Sequence, residues 1–156
     1  MKILYIHQYF NTPEMPGSTR SYEFAKRLTN NGNSVHIITS NWQKLSDKKF
    51  TKVGGIKVYW GPSRYSNKMN YLRRIFSFIS FAFFALRKGL ILEYDIIIAS
   101  STPLTVGIPA VILKKIKRVK MVFEVRDMWP QLPIAIGAIK FKPLIKISKW
   151  LEYKIY

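Results

Sequence analysis

Four short apolar runs, separated by stretches of helical length, constrain this chain more than any other feature. Lys2 to Tyr9, Val35 to Thr39, Tyr94 to Ala99 and Lys120 to Val125 are rich in Ile, Val, Tyr and Phe and lack helical spacing. Runs of this kind read as strands buried on both faces, as in parallel sheets covered by helices. Parallel strands need long crossovers, and the intervening segments are long enough to supply them. The expectation is one α/β domain with a Rossmann-like, doubly wound, mostly parallel sheet and helices on both faces.

The punctuation between the runs supports that reading. Asn11 to Gly17 is a loop with Pro13, Pro16 and Gly17, and Ser18 or Thr19 then offers an oxygen to the N–H groups of a helix start. That helix extends to about Asn31 on an apolar stripe of Tyr22, Ala25 and Leu28, with Gly32 as its terminator. Asn41 to Lys52 reads as a polar surface connection, and Gly54-Gly55 turns the chain into an alternating strand, Ile56 to Trp60, near a sheet edge.

From about Asn67 to Lys88 the pattern is helical. Asn70, Arg73, Ser77, Ser80 and Arg87 form one narrow polar stripe on it, leaving a wide Phe-rich surface. Ser100-Ser101-Thr102-Pro103 reads as a strand end, an N-cap and a first-turn proline. The helix that follows, to about Lys117, carries Pro109, which is expected to kink or split it. Pro143 to Tyr156 is an amphipathic helix with Leu144, Ile147, Leu151 and Ile155 on one face, still running where the sequence ends.

Composition narrows the chemistry. With 156 residues, 48% of them hydrophobic, there is material for one cored domain. No cysteine is present, and His7 and His36 are the two histidines, so disulfides, thiolate nucleophiles and multi-histidine metal cages lack material. The net charge of +18 calls for an anionic partner. The N-terminus lacks a secretory pattern, which makes cytoplasm the default compartment. The uncharged apolar stretch Ile75 to Leu86 spans only about 18 Å as a helix, short of a bilayer core.

Ligands of open α/β sheets bind beyond the carboxyl ends of the strands, so the loops leaving those ends are where function is sought. In the first, Gly17 allows close backbone approach and the following helix N-terminus suits an anion; the alternative is ordinary loop and cap chemistry. Neither a dinucleotide fingerprint nor a P-loop occurs there. The second is Glu124-Val125-Arg126-Asp127-Met128-Trp129-Pro130. Alternation puts Glu124 and Arg126 on one face and Asp127 beyond the strand tip, where a carboxylate can orient or deprotonate a hydroxyl and an arginine can fork onto phosphate. The alternative is a structural Arg–Asp pair with Trp129 and Pro130 as a plug. The third is Ser100 to Pro103, whose hydroxyls are expected to cap the next helix; the alternative is a ligand contact. His7, where the first strand ends, reaches the same crevice, or else is a hydrogen-bonded rim residue.

Three segments together carry a family resemblance. Lys-Ile-Leu-Tyr-Ile-His-Gln-Tyr-Phe followed by Pro and Gly-Ser-Thr-Arg, then Ala-Ser-Ser-Thr-Pro-Leu-Thr-Val-Gly, then Phe-Glu-Val-Arg-Asp-Met-Trp-Pro, resemble the N-terminal domain of family-4 retaining glycosyltransferases. The chain is most similar to bacterial enzymes of surface-polysaccharide and O-antigen assembly that act on amino-sugar nucleotides. The resemblance implies half of a GT-B enzyme: an N-terminal lobe binding a lipid-linked glycan acceptor, facing a C-terminal lobe that binds the nucleotide sugar as substrate, with no cofactor and no obligatory metal. It places Gly17 and Ser18, with Thr19 and Arg20 in the same Gly-Ser-Thr-Arg element, beside donor diphosphate and acceptor. It places Arg126 and Asp127, with Trp129 following, against the reacting sugar and acceptor hydroxyl. The single Gly17 departs from the double glycine of the wider family. The donor lobe is expected after Tyr156, so these residues alone are expected not to transfer sugar, as a truncated protein or a split-enzyme subunit.

Basic clusters occur at Lys68/Arg73/Arg74, Lys114/Lys115/Lys117/Arg118/Lys120 and Lys140/Lys142/Lys146/Lys149. Beside the Phe-rich helix, the first has the make-up of an element that sits on an anionic membrane surface, peripheral to its cytoplasmic face; the alternative is a core helix with solvated lysines. Nucleic acid is not an expected partner, since no recognition motif accompanies the charge.

Overall fold

The computed structural model describes residues 1–41, 49–62, 69–101, 103–135, 137 and 139–156. Thr102, Asn67 and Lys68, to which the sequence reading assigned roles, lie outside these residues.

Six strands form one sheet: β1 (Lys2–Ile6), β2 (Ser34–Ser40), β3 (Phe50–Val53), β4 (Ile56–Gly61), β5 (Ile96–Ser100) and β6 (Lys120–Glu124), in the order β3-β4-β2-β1-β5-β6. Every neighbouring pair is parallel except β3 with β4. Helices α1 (Arg20–Asn30), α2 (Tyr71–Ile91), α3 (Gly107–Lys117), α4 (Gln131–Ala135) and α5 (Lys142–Ile155) complete the described fold. The arrangement is α/β and Rossmann-like, as the buried runs require.

β1 shows why those runs lack an amphipathic pattern. Ile3 and Tyr5 enter one core with Val35, Ile37, Val58 and the α1 residues Tyr22 and Ala25. Leu4 and Ile6 enter the other with Ile38, Ile97, Phe81 and Ala85 of α2, and Ala110 and Leu113 of α3. Successive side chains of one strand therefore reach opposite cores.

Four features depart from the sequence reading. The end of the segment read as a surface connection, whose residues 42–48 lie outside the described ones, runs into β3, paired with β4 through Gly54 and Gly55, whose φ angles of 55° and 84° close a tight hairpin. Its four residues follow two lysines and include a third, so the strand signal is short, and Trp60 Nε1 donating to Thr51 Oγ1 at 2.8 Å ties the hairpin together. Pro109 does not break a helix. A 3-10 turn, Leu104–Val106, precedes α3, and Pro109 is the third residue of α3, where a missing N–H removes no intrahelical bond.

The third departure concerns α2. Ser77, expected on a polar outer stripe, is buried along with Phe81, Ala85 and Gly89 on the face toward the sheet and α3, and Leu113 packs over Gly89. Leu72, Phe76, Ile79 and Phe83 point outward, with exposures of 75%, 74%, 60% and 60%. Small residues let the helix approach α3 closely, and this packing outranks the preference of phenylalanine for the interior. Fourth, α5 is rotated about its axis relative to expectation: Ser148 and Ile155 are buried while Ile147 is exposed.

Candidate functional site

The carboxyl ends of β1, β5 and β6 lie side by side, and the polar residues that leave them meet there. The hub is Glu124, the last residue of β6. Its Oε1 forms an ion pair with Arg20 Nη1 at 2.5 Å, and its Oε2 accepts from Ser100 Oγ at 2.6 Å and from Tyr5 OH at 3.4 Å. Burial alone raises the pKa of this carboxyl, but hydrogen bonds from Arg20 and Ser100 and the charges of Arg20 and Arg126 outweigh it, holding the group below its ordinary value.

Two residues further on, Arg126 lies on the same side. Its Nη1 meets His7 Nε2 at 3.2 Å, and its backbone N–H donates to Ser101 Oγ at 2.7 Å. A guanidinium has only donors, so His7 Nε2 accepts and the ring proton sits on Nδ1. His7 is 3% exposed and stacks on Tyr5 at 6.3 Å between ring centroids. Burial first, then the charge of Arg126, lower its pKa to about 3. At neutral pH His7 is an uncharged acceptor that orients Arg126, too enclosed to meet a substrate.

Arg20 opens α1 and comes from the glycine loop. Gly17 has φ 121°, and a Cβ there would come within 2.5 Å of Asn11 Nδ2, so the loop needs glycine for both conformation and space. Asn11 Nδ2 in turn donates to Ser18 O at 3.3 Å. Thr19 occupies the N-cap position without a side-chain bond; Ser18 Oγ accepts from Arg20 N at 3.4 Å instead. Arg20, Gly17, Ser18 and Arg126 are all exposed residues, so both arginines reach solvent while one end of each guanidinium is held by Glu124 or His7.

Asp127 follows Arg126 just past the β6 tip. With Trp129, Tyr9, Phe78, Ser101 and Leu104 it lines a separate hollow of about 190 Å³, below α2 and the 3-10 turn. Asp127 thus borders a hollow that Arg126 does not line, while Arg126 meets His7. The Trp129–Pro130 peptide is cis, and Pro130 is buried.

The expected residues therefore form two adjoining groups: Arg20, Arg126 and His7 around Glu124, and Asp127 with Trp129. Gly17, Ser18 and Thr19 shape the loop that delivers Arg20. Sequence reasoning missed Tyr5 and Ser100 as partners of Glu124; Ser100 ends β5 as expected, but its hydroxyl and that of Ser101 bind the β6 end, and no side-chain bond caps the 3-10 turn that follows. A phenol within a doubly buried strand, which needs a polar partner, was the available signal. Among the described residues no group of three or more His, Asp or Glu side chains is placed to hold a metal.

Comparisons with known proteins agree with this architecture. The fold is similar to that of the C-terminal domain of a Pyrococcus furiosus hydrogenase, with a TM-score of 0.57 at 17% identity, over 79% of this chain and 90% of that one. At that identity the likeness concerns the fold alone. No curated protein matches. Residues 17–156 match Glycosyltransferase Family 4, a span that runs from Gly17 through Arg20 to the β6 tip and beyond and leaves β1 and His7 outside it. The chain belongs to glycosyltransferase family 4.

Proposed function

We propose that this domain is the acceptor-binding, N-terminal half of a GT-B transferase that moves a hexosyl or amino-sugar group from a nucleotide sugar to a lipid-linked acceptor in cell-surface glycan synthesis. The observation that carries the proposal is the convergence of Arg20 and Arg126 on the open side of the β1 and β6 ends. Two guanidinium groups around the single carboxylate Glu124 leave positive charge for an oxyanion, and a planar fork suits phosphate oxygens. His7 fixes one fork and Glu124 the other, so little side-chain freedom is lost on binding.

Diphosphate is the group shared by a nucleotide sugar and a lipid-linked acceptor, and it would lie on these arginines. The acceptor hydroxyl would then enter the adjoining hollow, where Asp127 orients it or takes its proton and Trp129 gives a sugar an apolar face. The arginine edge is open to solvent, so a facing donor lobe would enclose the reacting groups and exclude water.

A transfer assay with nucleotide sugar and lipid-linked acceptor tests this reading. The 156 residues alone should be silent. With a donor lobe supplied, Asp127→Asn should lower kcat/KM by about a hundredfold or more if the carboxylate takes the proton. Transfer by these residues alone, or full activity in both Asp127→Asn and Arg126→Ala, would contradict the proposal.

A further inference from the structure

The outward face of α2 has no role in the site described above. Leu72, Phe76, Ile79 and Phe83 succeed one another at intervals of four, three and four, and all are at least 60% exposed. The opposite face is already committed to the sheet and α3 through Ser77, Phe81, Ala85 and Gly89. The stripe is therefore what remains after the domain has packed its core, and so long a contiguous apolar surface calls for an occupant.

Charge selects among the occupants. From Met69 to Leu92 the sequence has no Asp or Glu, while Arg73, Arg74, Arg87 and Lys88 stand near the two ends of α2. Arg87 continues the stripe beyond Phe83, its guanidinium carbon 5.7 Å from that ring centroid. Phenylalanine at the centre with cations at both ends is the composition of a helix lying in a headgroup boundary. A second copy of this helix would set four cations against four. The whole chain, at +18, favours an anionic surface as well. No helix among the described residues is long and apolar enough to cross a membrane, so the helix would lie along the surface. Beside the stripe, Pro62, Met69, Leu72, Arg73 and Phe76 line a groove of about 580 Å³ that can receive a lipid chain.

We propose that α2 docks this domain on an anionic lipid bilayer, with Leu72, Phe76, Ile79 and Phe83 in the headgroup boundary and Arg73 and Arg87 on lipid phosphates. The proposal does not depend on the transferase reading, because lipid binding is measured without sugar transfer. Co-sedimentation with phosphatidylcholine vesicles, with and without phosphatidylglycerol, tests it. The parent chain should pellet with the anionic vesicles and be released by salt. Arg73→Gln and Arg87→Gln should each weaken binding by about fivefold. Phe76→Ser with Phe83→Ser should weaken it by about tenfold or more while leaving the melting transition unchanged, since both side chains are already in water. Val122→Ser, an exposed apolar site on β6, should bind like the parent. Binding independent of phosphatidylglycerol, no binding, or retention in the double-serine variant would overturn the proposal. So would a concentration-dependent dimer that the double-serine variant abolishes.

Discussion

His7 makes the buried site visible to a simple stability measurement. In the unfolded chain its imidazole titrates near 6.5, whereas in the fold burial and Arg126 lower it to about 3. Between those values the unfolded state binds a proton that the native state refuses, so stability falls as the pH falls. The full slope is about 1.4 kcal/mol per pH unit, and from about pH 8 to pH 5 the integrated loss is about 2 kcal/mol. Glu124 adds nothing over most of this range, because its carboxyl titrates below its ordinary value of 4.5. His36 is also lowered, first by burial and then by Lys57 and Lys2, and contributes in the same window, so the comparison needs a variant that spares it. His7→Gln keeps an acceptor for Arg126 and removes the titration. Urea unfolding midpoints at several pH values, followed by tryptophan fluorescence, should show the variant losing about 2 kcal/mol less than the parent between about pH 8 and pH 5. Parallel curves would refute the reasoning, since they would mean that His7 stays solvated and does not serve as the neutral support of Arg126.

The two faces of α2 can be compared with one substitution at two positions. Phe81→Ala should cost about 3–5 kcal/mol by leaving a core cavity, and Phe83→Ala should stay within about 0.5 kcal/mol, because Phe81 is fully buried and Phe83 is 60% exposed. Similar costs at the two positions in chemical denaturation would show that the helix is turned otherwise. Gly17→Ala should destabilise by about 1–3 kcal/mol, from the positive φ and the approach to Asn11, lowering Tm by roughly 2–4 °C for each kcal/mol; calorimetry reads this directly, and an unchanged Tm counts against the loop geometry. The depressed Glu124 carboxyl contributes stability that is complete above its ordinary value and is lost as the pH falls through the folded value. Glu124→Gln should accordingly flatten the acid limb of the stability curve below about pH 4.5, leaving the His7 slope above it in place.

The doubly buried runs made the parallel sheet legible without any contact information, since Ile3 to Ile6 must satisfy two cores at once. Gly17 was legible from its place just before a helix start, and the charges after β6 from their place at the end of a buried strand. The hidden features depended on what packs against what. Nothing local in α2 says that Ser77 and Gly89 face inward, because the decision belongs to the close approach of α3 and Leu113. Glu124 looked like one member of a charged cluster. It became the hub only when Arg20, more than a hundred residues earlier, and Ser100, on the neighbouring strand, were brought to its two oxygens.

Equilibrium titration of the chain with a short-chain isoprenyl diphosphate sugar, read by calorimetry, asks whether the arginine crevice holds the acceptor. The parent should bind, and Arg20→Ala and Arg126→Ala should each weaken binding by about tenfold to a hundredfold, as loss of a charge-assisted bond requires. Affinity equal to the parent's in both variants would contradict the placement of the diphosphate on these residues.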